Sequence, residues 1–122
     1  GAIVTLDGTR HPMLGLIPGV AKMRDTLQAL GYVEVETREP TPLGPAGTQF
    51  SGHQFRYSSF EDSAAPQRYT LRTKRSGQLQ VEGYGAGAVL GSYVHAHWAS
   101  NPTIPEAFVQ ACVTSLRPAP RA

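Results

Sequence analysis

Apolar and polar residues alternate most clearly over residues 32–38. Val33 and Val35 fall on one side, and Glu34 and Glu36 on the other. Successive strand side chains point to opposite faces, so the pattern predicts a half-exposed strand. Residues 48–60 carry Phe50, Phe55, Tyr57 and Phe60 and read as a second strand region. Residues 68–74 and 78–84 flank Ser76-Gly77, the arrangement of a hairpin. A short β-prone run, 2–6, closes on Asp7-Gly8, and the apolar run 13–17 stops at Pro18-Gly19. Met23, Leu27 and Leu30 stand at helical spacing but Gly31 follows at once, so residues 20–30 fit either a short helix or an irregular strand. Residues 88–94 form an apolar run in a glycine-rich setting and read as a buried strand. Between these elements, 39–47 is a loop rich in Pro and Gly, and 61–67 is a small, polar surface loop.

The chain ends on a helical pattern. Thr103-Ile104-Pro105-Glu106 has the form of a capping box with Pro in the first turn. Ile104, Phe108 and Cys112 recur at intervals of four residues and predict one apolar helix face. Pro118 and Pro120 stop the helix, leaving residues 118–122 as a frayed tail behind one domain over 1–117.

Composition narrows the class. At 122 residues the chain holds one core at most. Its 13 glycines and 10 prolines make up about a fifth of the residues, against an ordinary level near 12%; scattered without period among aromatics, they read as turns in a strand-rich domain. A net charge of +2 gives no basis for a nucleic-acid or acidic-membrane partner. The single cysteine, Cys112, excludes an internal disulfide framework and points to a reducing, cytoplasmic setting. Residues 83–105 carry no formal charge over 23 positions. Two histidines, Asn101, Pro102 and several glycines interrupt them too often for a membrane span. The chain begins with Gly1 rather than Met, which suggests a piece of a longer protein.

Candidate chemistry centres on histidine. His11 sits beside Pro12 in a turn-like site, where a surface role is the expectation. His53 lies in a strand between Gly52 and Gln54. His95 and His97 are separated by one residue at the end of the apolar run, so an extended backbone sends both side chains from one face. Three readings stay open: a metal site, a catalytic base, and packed histidines satisfied by backbone groups. The metal reading lacks ligands, because the next carboxylate after His97 is Glu106, on the helix; no metal is expected. A neutral imidazole can take a proton from a nucleophile near pH 7. Cys112 falls on the predicted apolar helix face, where a free thiol acts as a small hydrophobe. Gly83, Gly85 and Gly87 lack the strand-loop-helix context of a phosphate-cradling loop, so no ATP site is expected here. The basic cluster Arg72, Lys74 and Arg75 reads as a solvated hairpin tip.

Four segments in order carry a resemblance. They are residues 13–23 (MLGLIPGVAKM), 30–35 (LGYVEV), 52–58 (GHQFRYS) and 91–102 (GSYVHAHWASNP). Together they resemble the C-terminal glutamine amidotransferase domain of the cobyrinic (or hydrogenobyrinic) acid a,c-diamide synthase family, of the cobyric acid synthase type. The resemblance runs from about His11 to Val113.

It implies an α/β, flavodoxin-like class I amidotransferase fold, present as its strand-rich C-terminal portion. It also implies release of ammonia from glutamine by a cysteine nucleophile that a histidine activates. By position that histidine is His95, with His97, His53 and Tyr93 as candidates to line the pocket or orient it. The family's Cys-Gly-Gly is absent from these residues. The nucleophile, and a synthetase domain that uses ATP and magnesium to amidate a corrinoid, are therefore expected outside them. No cofactor is expected on this segment. Gln54 stands where the family commonly has Glu. Alternatives are amidation of another tetrapyrrole, such as nickel sirohydrochlorin, and a non-catalytic module that docks a partner or binds a small ligand. Cut from its remainder, the segment is expected to expose strand edges, to self-associate and to lack glutaminase activity.

Overall fold

The computed structural model describes residues 1–61, 64 and 66–116. Nine strands, a 3-10 turn and one helix follow in order: β1 Ala2–Val4, β2 Arg10–Pro12, β3 Val20–Met23, β4 Ala29–Thr37, β5 Gln49–Arg56, β6 Ser58–Glu61, β7 Tyr69–Thr73, β8 Leu79–Glu82, β9 His95–Ala96, the turn Trp98–Ser100 and α1 Thr103–Leu116. They build two sheets, ordered β2-β1-β3-β6 and β8-β7-β4-β5-β9. Only β1 and β3 pair in parallel; the other pairings are antiparallel.

The sheets share a continuous ribbon. β3 and β4 run opposite β6 and β5, with Met23 opposite Ser58 and Ala29 opposite Arg56. Arg24 N–H donates to Tyr57 O at 2.7 Å and Gln28 N–H to Arg56 O at 2.8 Å. Residues 25–27 are therefore the excess on one side, and the ribbon kinks there, as a bulged strand does. Arg24 reaches back along β6 to pair with Glu61. The helical alternative for residues 20–30 is not realised. The spacing of Met23, Leu27 and Leu30 reflects two strands joined by that excess, and Leu27 and Leu30 face solvent.

The core lies on one face of the second sheet. Val33 and Val35 from β4, Phe50 from β5, and Tyr69 and Leu71 from β7 meet Leu43, Val94 and Ile104. Alternation on β4 holds as predicted, with Val33, Val35 and Thr37 each only 2% exposed. Thr37 is tolerated there because its Oγ1 donates to Pro45 O and accepts from Thr48 N–H. The predicted hairpin forms, with Tyr69 opposite Glu82 and Arg72 opposite Leu79. Gly77 closes it in the left-handed region (φ 69°) that favours glycine.

The apolar run 13–17 lies outside the strands, with Met13, Leu14 and Leu16 facing solvent. Two expectations need correction. Residues 88–94 form no strand; a single bridge, Tyr84 to Gly91, closes the segment into a loop. Side-chain bonds stand in for a ladder: the Arg68 guanidinium donates to Val89 O (2.7 Å), to the preceding Gly87 O (3.1 Å) and to Pro40 O of the 39–47 loop (2.5 Å). Backbone groups capped by a buried cation need no strand ladder. The helix, finally, begins earlier than a cap at Thr103 implies. Asn101 Oδ1 accepts the Thr103 N–H (3.1 Å), and Asn101 O accepts the Ile104 N–H. Asn101 is thus the capping residue and Pro102 takes the first helical position, where its missing N–H costs nothing. The predicted apolar face is real in sequence but only Ile104 is buried; Phe108 is half-exposed, and Cys112 faces solvent. The tail at 118–122, and Asp62, Ser63 and Ala65 of the 61–67 loop, lie outside the described residues.

Candidate active site

The face of the second sheet opposite the core is open. β4, β5 and β9 alternate so that Tyr32, His53 and His95 share it, with Tyr32 opposite His53 and His53 opposite His95. The His53 and His95 ring centroids are 4.6 Å apart, and Tyr32 meets His53 edge-on at 6.4 Å. His97 follows two residues after His95 and joins them in a cleft of about 430 Å³, lined also by Ser51, Lys74 and Ala96. All three imidazoles are exposed. Neither a packed interior site nor a metal cage describes them, and no group of three metal-ligating side chains exists among the described residues.

β9 is only two residues long, so its placement depends on what holds its ends. Gly52 permits the close approach. A Cβ there would lie 2.6 Å from Val94 Cγ1 and 2.7 Å from His95 O. After β9, His97 N–H donates to Ser51 O at 2.8 Å, and the Ser51 N–H donates to Ser100 Oγ at 2.9 Å. Asn101 Nδ2 then donates to Gln49 O, tying the helix start to the beginning of β5. One short hydrogen-bonded run from His97 to Asn101 therefore fixes both the histidine strand and the helix entry.

Lys74 and Tyr32 were not legible as cleft residues. Lys74 Nζ pairs with Glu34 Oε1 at 2.8 Å, and Ser51 Oγ donates to the same oxygen. The nearby ammonium holds the Glu34 carboxyl below the usual carboxylate range. Register would have revealed this: Glu34 lies opposite both Ser51 and Arg72, one step from the hairpin tip where Lys74 was read as a solvated charge.

Two sequence candidates lie elsewhere. Tyr93 points away from the histidines; its hydroxyl meets Ser58 Oγ at 2.8 Å and the Arg56 guanidinium sits 4.5 Å from its ring centre. Gln54 is buried on the core side of β5, 4% exposed, and cannot reach the His53 face. Cys112 does not line the cleft. In the glycine segment the carbonyls of Gly87 and Val89 turn inward onto Arg68.

The site is thus a pair of exposed imidazoles, 4.6 Å between ring centroids, at an open cleft on a two-sheet, strand-rich α/β domain. The CobB/CobQ-like glutamine amidotransferase domain family matches residues 2–103, and the chain belongs to it. It is similar to the cobyrinate a,c-diamide synthase of Leptospira interrogans (strain Fiocruz L1-130), at 49% identity over 91% of this chain and 25% of that protein. The Syntrophotalea carbinolica protein of the same name is 42% identical over 87% of this chain and 24% of that protein. That of Dehalococcoides mccartyi (strain CBDB1) is 34% identical over 89% and 24%. The chain thus spans about a quarter of the length of these curated relatives. No solved structure matches it significantly. No helix of the described residues is long and apolar enough to cross a membrane.

Proposed function

We propose that this chain is the histidine-bearing part of a glutamine-hydrolysing amidotransferase serving the ATP-dependent amidation of the a and c carboxylates of cobyrinic or hydrogenobyrinic acid. The observation that carries the reading is His95, displayed on β9 beside His53 at an open cleft, in a chain of this family. A thiol supplied outside these residues gives its proton to the His95 imidazole, and the thiolate attacks the side-chain amide carbon of glutamine. The imidazolium returns the proton to the leaving nitrogen, so ammonia departs and a thioester remains. Water, deprotonated by the same imidazole, then releases glutamate and restores the thiol.

Ammonia would pass to a synthetase region outside these residues, where ATP and magnesium would supply the activation of the corrinoid carboxylate. Every step of the glutamine hydrolysis above runs through His95 and the thiol. His53 and His97 line the cleft around the base. The test is His95→Ala in the complete synthase. Amidation with glutamine should fall at least about 100-fold, the loss typical of removing a general base, while amidation with free ammonia persists. Undiminished use of glutamine would overturn the reading and favour a non-catalytic docking module. Nickel sirohydrochlorin offered in place of the corrinoid separates the two tetrapyrrole substrates.

The isolated chain is proposed to self-associate and to lack glutaminase activity. Leu30, Tyr32, Phe55, Leu79 and Val81 stand exposed on the open sheet face. Apolar surface of this kind drives association, and a monomeric sedimentation profile at high micromolar concentration would contradict it.

A further inference from the structure

A two-residue strand contributes little of its own stability, so whatever holds residues 92–94 decides where His95 stands. That segment lies outside both sheets. It is gripped by Glu82, the last residue of β8, which is 3% exposed. Glu82 Oε2 accepts the Ser92 hydroxyl proton at 2.6 Å, and Oε1 accepts the Tyr93 N–H at 2.8 Å. Ser92 Oγ in turn accepts the Val94 N–H at 2.9 Å. Both oxygens of one buried carboxylate are thereby spent on Ser92 and Tyr93, and Ser92 carries the grip on to Val94. Tyr93 is pinned at its far end by Ser58. Val94 packs into the core against Gly52.

Burying a carboxylate is costly unless it is hydrogen-bonded. An apolar residue of similar size could fill the space without that cost. It could not present two acceptors at fixed spacing to a backbone N–H and a hydroxyl. On the far side of His95, the anchors are backbone groups together with the hydroxyl of Ser100 and the side-chain amide of Asn101. On the near side, Glu82 is the group that defines the path.

We propose that Glu82 is a positioning residue for the glutaminase reaction. Through Ser92 and Tyr93 it fixes the backbone that aims the His95 imidazole into the cleft. This rests on reading His95 as the base.

The experiment compares Glu82→Ala, Glu82→Gln and Ser92→Ala with His95→Ala in the complete synthase, each assayed with glutamine and with ammonia. A misplacement of about 1 Å costs on the order of 100-fold. Glu82→Ala is expected to lower kcat with glutamine by about that factor, leaving KM for glutamine and the ammonia rate within about twofold. Glu82→Gln, which keeps an acceptor, should recover most of the loss. Ser92→Ala removes one arm of the grip and should cost about tenfold; it decides the matter if Glu82→Ala fails to fold. A merely structural role would lower the glutamine and ammonia rates together, and that result would overturn the proposal. It is equally overturned, with the function intact, if His95→Ala abolishes glutamine use while the Glu82 and Ser92 variants keep it within twofold. Retained glutamine use by His95→Ala removes both.

Discussion

The β4-β5-β7-β8 region and the 83–94 segment that follows it are neighbours held by different physics. In the first, backbone groups pair strand to strand, and one face buries Val33, Val35, Phe50 and Leu71. In the second, the bridge between Tyr84 and Gly91 is backed by two buried ions that satisfy the chain from the side: Arg68 on the Gly87 and Val89 carbonyls, Glu82 on one N–H and one hydroxyl. The first arrangement tolerates side-chain change as long as the apolar face persists. The second depends on two particular side chains, and it is the one that leads into His95. A rigid sheet thus offers a platform, and a side-chain-built loop sets the final direction of the reactive group.

The contrast can be broken at either end. Leu71→Ala, at 1% exposure in the centre of the core, should cost about 2–5 kcal/mol in urea unfolding and lower protection from amide exchange throughout the second sheet. Arg68→Met strands three carbonyls, but the loop can open to water. The cost should therefore be smaller, about 1–3 kcal/mol, with lost protection confined to residues 84–91 and the turn after Pro40. Equal, global loss in both variants would mean the two regions are one cooperative unit. Gly52→Ala puts a methyl against Val94 and the His95 carbonyl. It should cost about 1–3 kcal/mol and weaken the pairing of β9 with β5, read as faster exchange at His95 and His97, whose N–H groups face β5.

The acid responses sharpen the comparison further. Burial pushes the Glu82 carboxyl above its ordinary 4.5, partly offset by the Ser92 and Tyr93 hydrogen bonds. The folded state therefore binds this proton more tightly than the unfolded chain does. The stability it contributes is complete below the ordinary carboxylate range and is lost as pH rises through the raised value. Glu82→Gln should flatten that decline in a series of urea midpoints against pH. Asp7, in the exposed β1–β2 turn, has the opposite sign. Hydrogen bonds from Thr5 and Thr9 lower its carboxyl from 3.8 to about 2. Its contribution is present above 3.8 and lost as pH falls toward 2, and a carboxyl NMR titration should show the midpoint near 2.

The same division explains what the sequence made legible. Strand β4 and the β7–β8 hairpin announce themselves through alternation and a turn dipeptide, because their energetics are those of a half-buried sheet. The candidate base was placed from the resemblance and from the spacing of His95 and His97. That His53 is its cross-strand neighbour needed a register no local pattern specifies. Residues 88–94 looked like a strand because apolar composition does not reveal that Arg68, some twenty positions earlier, supplies their hydrogen bonds. The helix cap was misplaced by two residues because Thr103 and Asn101 both have capping chemistry, and only the link from Asn101 to Gln49 decides between them. The exposed helix face, with Phe108, Val109 and Val113, shows that an apolar pattern states a preference for burial without naming what covers it.

The central claim is that β9 holds His95 beside His53 on the open face of the second sheet. The direct measurement is a set of nuclear Overhauser contacts between the two imidazoles in the 122-residue chain. Their centroids are 4.6 Å apart, so ring-to-ring contacts should be seen, with both rings modified rapidly by an imidazole-acylating reagent. An absence of those contacts, with His95 resistant to the reagent and showing contacts to Val33 or Leu71 instead, would contradict it.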